Sequence, residues 1–403
     1  DERWCKAVHE AADYRPDTWA DIAGEEGALH ALDFCRGVKS FVAQHPDLVL
    51  RLVVAGPALL KKYGNVVEYI ERDGFSVNYK VSTMLEGENL SSSTKSVGLG
   101  IVELASTFDD LKPDMVITVA DRFETISTAI AASYMNIPLI HTQGGEVTGS
   151  IDESVRHAVT KLSNFHFPST LKAKQNVIRM GENKKRVFLT GCPSIDLAKK
   201  VLKSKNIDLN SLIKKYNLDD NFFGFKKDFI VVVQHPVTTQ YNEVNKQINE
   251  TIKALNEYKI NTIWLWPNID AGNDIISKKL RQFREKIKPK NIKFYKNFEP
   301  EDFLKILLKS KCILGNSSVA IRECSYLGIP AVNIGDRQQG REHGKNVKHV
   351  SHNNKEIIKI LKYQIKHGKY KSEKIFGDGN AAKKMVNFIS NFTIKNTQKI
   401  LEY

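Results

Sequence analysis

CILGNSSVAIRECSYLGIPAVNIGDR (312–337) opens on a short apolar run, turns through Gly-Asn-Ser-Ser, continues for ten residues at helical spacing, and closes on a second apolar run ending in Gly-Asp-Arg. Strand, helix and parallel strand is the reading this pattern supports, because the apolar runs are too short for helices and the connection is too long for a hairpin. Similar units lie on both sides. DFIVVVQHP (228–236) reads as a strand before a helix through 242–257, and TIWLWPNID (262–270) as a strand before a basic helix. Upstream, LVLRLVVAG (48–56) precedes a helix through Leu59–Asp73, MVITVADRFE (115–124) precedes the helix TISTAIAASYMN (125–136), and IPLIHTQGGE (137–146) is a further strand. VFLTGCPSID (187–196) closes the first half with a strand and a Pro-containing turn.

Alternation of this kind builds parallel sheets covered by helices. With 403 residues the chain is too long for one ordinary core. The expected fold is α/β, with two Rossmann-like doubly wound domains facing across a cleft. Residues 1–193 form the first domain, with 1–45 poorly matched, and 194–378 form the second. A helical tail, 379–403, follows the Gly-rich FGDGN. The first 45 residues, rich in Ala, Asp, Glu and Trp, show no clear apolar strand and no phosphate loop. In doubly wound sheets ligands bind beyond the carboxyl ends of the strands, where the informative polar residues of this chain fall.

Composition narrows the function. Hydrophobic residues make up 41% and charged residues 26%, as in ordinary globular proteins. No apolar run reaches membrane-helix length and the first residues lack a signal-peptide core, so a cytoplasmic location without a membrane partner is expected. Cys5, Cys35, Cys192, Cys312 and Cys324 are widely spaced, which indicates neither a disulfide framework nor a zinc knuckle. The net charge of +14 comes largely from lysines that alternate with apolar residues, as in SKKLRQFREKIKPKNIKFYKN (277–297). Such spacing marks solvated faces, so no nucleic acid is expected as partner, while an anionic substrate gains from the field.

Ser317 and Ser318 stand where strand turns into helix. Unpaired N–H groups and the helix dipole there attract phosphate, and the same serines also suit an ordinary N-cap. Glu323, about a turn further on, is placed to accept from ribose hydroxyls, and Arg337 in the next loop to clamp a diphosphate in bidentate fashion. His235 and Asn268 end two neighbouring strands. In the first half, Asp121 and Arg122 follow a strand, where Asp121 either projects into the cleft or caps the next helix. Ser150 and Glu153 match the S-x-x-E capping box, which places Asp152 in a first helical turn. Glu153 and His157 share a helix face, but no third ligand follows at matching spacing, so no metal is expected.

These blocks resemble the hydrolysing UDP-N-acetylglucosamine 2-epimerases, including the epimerase half of the bifunctional animal enzyme of sialic acid synthesis. The resemblance covers residues 48–390 and is carried by LVVAGPALLKKYGN, DRFE, GGEVTGSIDESVRHAVTKL, GCPSID, QHPVTT, WPNIDAG, GNSSVAIRE, NIGDRQQGRE and GDGNA. It implies two domains of the glycosyltransferase-B type, with a C-terminal helix returning to the first domain. It also implies a nucleotide-sugar substrate, no cofactor, and a homodimer or homotetramer. The implied reaction removes the C2 proton, eliminates the nucleotide to a glycal, and hydrates the glycal with inversion at C2, serving sialic or legionaminic acid synthesis. Asp121 and Asp152 match the acid/base residues, and His235, near sugar and diphosphate, joins them and Glu146 in the expected catalytic set. Ser317, Ser318, Glu323 and Arg337 match nucleotide-diphosphate ligands and the segment around Phe298 the base pocket; Arg122, Gln143 and Asn268 are further expected substrate-binding residues.

The chain departs from the pattern in three places. Gln143 stands where many relatives carry a glutamate, and an amide does not titrate; Glu146 is the carboxylate expected to take up that burden. Ala120 replaces a glycine before Asp121-Arg122-Phe123. Ala11 falls where the arginine of an N-terminal loop is expected. Two alternatives remain open on these grounds: a catalytically impaired nucleotide-sugar-binding protein of the same fold, and a glycosyltransferase.

Overall fold

A computed structural model describes residues 48–60, 66–86, 89–119, 122, 124–204, 208–218, 228–267, 270–391, 398–400 and 402, and the backbone alone of 17–22 and 209. Twelve strands among them form two six-stranded parallel sheets. In chain order the first holds β1 (Asp17–Ile22), β2 (Val49–Ala55), β3 (Val77–Val81), β4 (Met115–Val119), β5 (Leu139–Thr142) and β6 (Phe165–Phe167), arranged β3-β2-β1-β4-β5-β6. The second holds β7 (Phe229–Val233), β8 (Asn261–Leu265), β9 (Ile292–Tyr295), β10 (Ile313–Gly315), β11 (Ala331–Ile334) and β12 (Val347–Val350), arranged β12-β11-β10-β7-β8-β9. Both have the same doubly wound order, and in each the chain reverses direction of growth at one point, β1/β4 and β7/β10. Crevices at such points hold ligands because the loops leave to opposite faces there.

The helices among the described residues are α1 (Val66–Arg72), α2 (Leu90–Leu111), α3 (Thr125–Tyr134), α4 (Asp152–Leu162), α5 (Leu171–Arg179), α6 (Pro193–Lys203), α7 (Leu209–Tyr216), α8 (Val244–Tyr258), α9 (Asn273–Ile287), α10 (Pro300–Lys309), α11 (Glu323–Leu327), α12 (Asn354–His367) and α13 (Ala381–Ser390). MVITV in β4 and FIVVV in β7 are buried throughout, as strands covered on both faces must be. Their alternate residues feed separate cores. In the second sheet Val231, Val233 and Ile313 pack with α6 and α10, while Ile230, Val232 and Leu314 pack with α8, α9 and α12. In the first, Leu52, Val54 and Ile117 pack with α1 and α13, while Val53 and Val116 pack with residues of α2, α3 and α4. The chain therefore enters the second core at Cys192, and Ala381, Met385, Val386 and Ile389 bring it back to the first.

Four expectations need correction. A central strand, β1, lies within the N-terminal stretch that reads as strandless: Asp17 and Asp21 dilute its apolar character, and pairing with β2 and β4 supplies what local propensity lacks. The strand expected at the start of 187–196 reduces to one bridge between Val187 and His166, and the sheet edge is Phe165–Phe167, too short to show periodicity. The tail helix stops at Ser390. The Ser150–Glu153 capping box does not form, because α4 begins one residue late for it. Ser150 donates instead to Asp152 (2.7 Å), and Glu153 reaches back to the Thr148 N–H (2.6 Å). No described helix is long and apolar enough to cross a membrane.

Candidate active site

At the β7/β10 reversal Gly315 has φ +138°, and a Cβ there would stand 1.9 Å from the Val233 carbonyl, so only glycine lets the two strand ends close. The next residue ties them. Asn316 accepts the His235 N–H (2.7 Å) and donates to the His235 carbonyl (2.9 Å), while its own carbonyl accepts from Arg337 (3.1 Å) and Gln338 (3.0 Å). His235, Asn316 and Arg337 are thus one hydrogen-bonded unit at the strand ends. Ser317 caps the 3-10 turn Ser318–Ala320 by accepting from the Val319 N–H (3.3 Å), the ordinary N-cap arrangement. Ser318 and Glu323 are buried beside it.

Loops of the first domain close over this unit. Gly149 donates its N–H to the Arg337 carbonyl (3.0 Å), and a Cβ on Gly149 would lie 2.0 Å from the Asp336 carbonyl. Contact that close seats Asp152, in the first turn of α4, against the second domain. Arg122, following β4, pairs with Glu124 (2.8 Å) and reaches Asp270 (3.4 Å), which in turn lies 3.7 Å from Arg337. Two guanidiniums from opposite domains therefore flank one carboxylate, with a second carboxylate beside them. Burial and the Asp270 charge push the Asp152 pKa above the usual carboxylate range, against the opposing pull of Arg337, Ser150 and Arg122. Burial works against the charge on Arg122, but Glu124 and Asp270 outweigh it and hold the guanidinium firmly protonated. A carboxyl group shifted towards neutrality between fixed cations is suited to proton transfer next to a developing anion.

Glu146 behaves differently. Its Oε2 accepts from Arg322 (2.7 Å) and from both Nε (2.9 Å) and Nη2 (2.6 Å) of Arg341. Burial disfavours its charge, yet the two arginines override burial and hold its pKa down to about 2. Gln143, in left-handed conformation at φ +62°, offers Oε1 to the other arm of Arg322. Arg341 also donates to Gln338 (2.7 Å), which links this clamp through Asn316 to Arg337. Arg156 fixes the intervening loop by donating to the Glu146 carbonyl (2.9 Å), Thr148 (3.3 Å) and Glu153 (3.2 Å). Glu146 is thus an anion at all physiological pH, and the clamp leaves it a poor proton carrier.

Of the residues singled out in sequence, Arg122, Gln143, Glu146, Asp152, His235, Ser317, Ser318, Glu323 and Arg337 lie at or beside the interface of strand ends. Asp121 and Asn268 lie outside the described residues, as does Ala11. The Phe298 ring faces inward, edge-on to Tyr216 (4.9 Å between centroids) and tilted against Tyr295 (5.3 Å), so at this position only backbone is left to meet a ligand. Residues not singled out include Asp270, Asn316, Arg322, Gln338 and Arg341. One signal pointed to the arginines. In a chain that meets water with lysine, Arg322 stands between the apolar stretches 319–321 and 324–327 and Arg341 follows Gly340, and buried cations that need planar, two-point partners are arginines.

Known proteins carry the same architecture. The family model described as UDP-N-acetylglucosamine 2-epimerase matches residues 41–390. The chain is 31% identical over 349 residues to a hydrolysing UDP-N,N'-diacetylbacillosamine 2-epimerase of Legionella pneumophila, spanning 87% of this chain and 90% of that protein. It is 34% identical over 316 residues to polysialic acid biosynthesis protein P7 of Escherichia coli, spanning 77% and 78% of the two. Among solved structures, UDP-GlcNAc 2-epimerase from Neisseria meningitidis bound to UDP-GlcNAc superposes with a TM-score of 0.73 at 19% identity, covering 92% of this chain and 98% of that one.

Proposed function

The chain belongs to the UDP-N-acetylglucosamine 2-epimerase family, and from that premise we propose that it hydrolyses a nucleotide-activated 2-acetamido sugar to the free 2-epimer and a nucleoside diphosphate. UDP-N-acetylglucosamine, its GDP counterpart and the diacetamido-trideoxy analogue are the candidate substrates, and N-acetylmannosamine-type sugars the products. The observation that carries this reading is the meeting of Arg122 of the first domain and Arg337 of the second at Asp270, with the buried Asp152 in the field of the same three groups.

Elimination takes the C2 proton and breaks the bond from C1 to the diphosphate oxygen. Water then adds at C1, and a proton returns to C2 on the opposite face. Two proton transfers at carbon call for carboxyl groups in a cleft, and Asp152 with Asp121 fill that role. Arg122 and Arg337 stabilise the departing diphosphate, with Ser317 and Ser318 at the helix entry. Glu323 serves the ribose, His235 and Asn268 the sugar–diphosphate junction, the backbone near Phe298 the base, and Gln143 the sugar side. Glu146 we assign to holding the domains together, since an anion locked by two arginines has no proton to give.

Incubation with the three sugar nucleotides in deuterated water tests the reading. Nucleoside diphosphate should appear together with an N-acetylmannosamine-type sugar deuterated at C2; tight nucleotide binding with no product from any of the three would refute it. A second reading, a binding protein without turnover, draws on Gln143, an amide at the heart of the site. Gain of turnover in Gln143→Glu from an inactive parent would favour it.

A further inference from the structure

Asp270 sits where two functions meet. It follows β8 in the second domain, and its carboxylate lies between Arg122 (3.4 Å) and Arg337 (3.7 Å), the two cations that the proposed function gives to the diphosphate. An anionic ligand that engages both guanidiniums has to compete with this carboxylate for them. The groups facing Asp152 are the same set: Asp270 from the loop after β8, Arg337 from the loop after β11, Arg122 from the loop after β4, and the Ser150 hydroxyl from its own loop. Asp152 and Asp270 therefore share two cations, of which Arg122 is also held by Glu124 (2.8 Å), and a ligand that draws the cations away leaves Asp152 and Asp270 facing each other.

We propose that Asp270 is a positioning residue of the reaction: it competes with the substrate diphosphate for Arg122 and Arg337, and once the ligand engages those cations it acts on the proton transfer through Asp152. Diphosphate binding draws both arginines towards the ligand and strengthens the repulsion between Asp270 and Asp152. Asp152 then becomes a better proton acceptor at the moment the substrate is in place. Part of the nucleotide's binding free energy is in this way converted into proton affinity, which is how remote binding raises turnover. Asp270 itself touches neither C1 nor C2 in this account.

The inference rests on the reading of Arg122 and Arg337 as diphosphate ligands, and the test separates the two. UDP alone is titrated into wild type, Asp270→Asn and Asp270→Glu by calorimetry, and the pH profile of UDP release is recorded for each. Removing the competing charge should tighten UDP binding by about threefold or more, since a like charge about 4 Å away is worth about fivefold even at the dielectric constant of water. In the same variant turnover should fall by about tenfold or more, and the acid limb of kcat/KM should move to lower pH, because the base has lost the charge that raised it. Asp270→Glu, which keeps the charge, should bind UDP as wild type does and retain the acid limb. Weaker UDP binding in a folded Asp270→Asn, or an acid limb that stays in place, overturns the proposal. If wild type turns over none of the sugar nucleotides, the hydrolytic reading fails while the UDP titration still decides the role of Asp270. Asp270→Ser supplies the same readings should the Asn variant not fold.

Discussion

Glu146 of the first domain and Arg341 of the second, 195 residues apart in the chain, meet through two hydrogen bonds onto one carboxylate oxygen, and Arg322 adds a third to the same atom. The side chains of Glu146, Arg341 and Arg322 are 2%, 4% and 3% exposed, so the charges have little water to fall back on. Removing one member of such a group leaves the others buried and uncompensated, which is the expensive case. Glu146→Ala, which also leaves Arg156 facing two bare guanidiniums, should destabilise the fold by about 3–5 kcal/mol in urea denaturation. Glu146→Gln should lose less. Because the folded pKa of Glu146 lies below its ordinary value of 4.5, its contribution is complete above that pH and is lost as pH falls towards about 2. The wild type should therefore lose stability more steeply than Glu146→Gln between about pH 5 and 2.

Asp152 carries the opposite sign. Its folded pKa is raised, so ionisation costs the native state stability as pH climbs past the ordinary carboxylate value. Asp152→Asn should therefore be no less stable than wild type at pH 7 while losing about 10²- to 10⁴-fold in kcat. Thermal melting and a UDP-release assay on the same preparation check both halves. A fall in melting temperature together with unchanged turnover would contradict the assignment.

Asn316 holds the β7 and β10 loops by a reciprocal pair of bonds to the His235 backbone, and it is fully buried. Asn316→Asp cannot donate to the His235 carbonyl, which leaves that group facing a carboxylate. A loss of about 1–3 kcal/mol is expected from denaturation curves. Turnover should fall along with it, because His235 and Arg337 are both positioned through this residue.

Gly149 allows the loop before α4 to touch Asp336 of the opposite domain. Gly149→Ala inserts a methyl group where the carbonyl oxygen now lies 2.0 Å from the Cβ position, so the domains have to move apart. Misplacement by about 1 Å costs on the order of 10²-fold in rate. We expect kcat/KM to fall by about that factor with little change in unfolding midpoint, since neither domain core is touched.

Lys399 lies beyond α13 and returns to the first domain, where its ammonium donates to the carbonyls of Thr160 and Lys161 (both 2.8 Å) at the end of α4 and pairs with Glu182 (2.7 Å). Burial outweighs the help from Glu182 and lowers its pKa to about 8. The unfolded chain then binds more protons than the native one between that pH and the ordinary 10.5, so stability should rise with pH across this window. Urea midpoints at several pH values should show that rise in wild type and lose it in Lys399→Met.

Much of this protein is written in local pattern. Runs such as FIVVV and MVITV are continuous because helices cover both faces of their strands, and the polar tips that follow them, DRFE, QHP, GNSS and GDR, fall at carboxyl ends because all the strands run parallel. From these alone the α/β class, the two doubly wound halves and the family were legible. β1 was not, since Asp17 and Asp21 hide a strand that exists only by pairing with β2 and β4. Nor were the partners within the site. The sequence showed Glu146 as a carboxylate near a missing glutamate, and such a residue reads as an acid or base. Only the fold brings Arg322 and Arg341 onto it, across 176 and 195 residues, and lowers its pKa until it cannot serve. The same closure buries Asp152, sets Asp270 against it and so moves that carboxyl towards neutrality. Residue type and strand-end position are properties of the chain; protonation depends on distances between charges in a medium of low polarisability, and those distances exist only once the two domains have met.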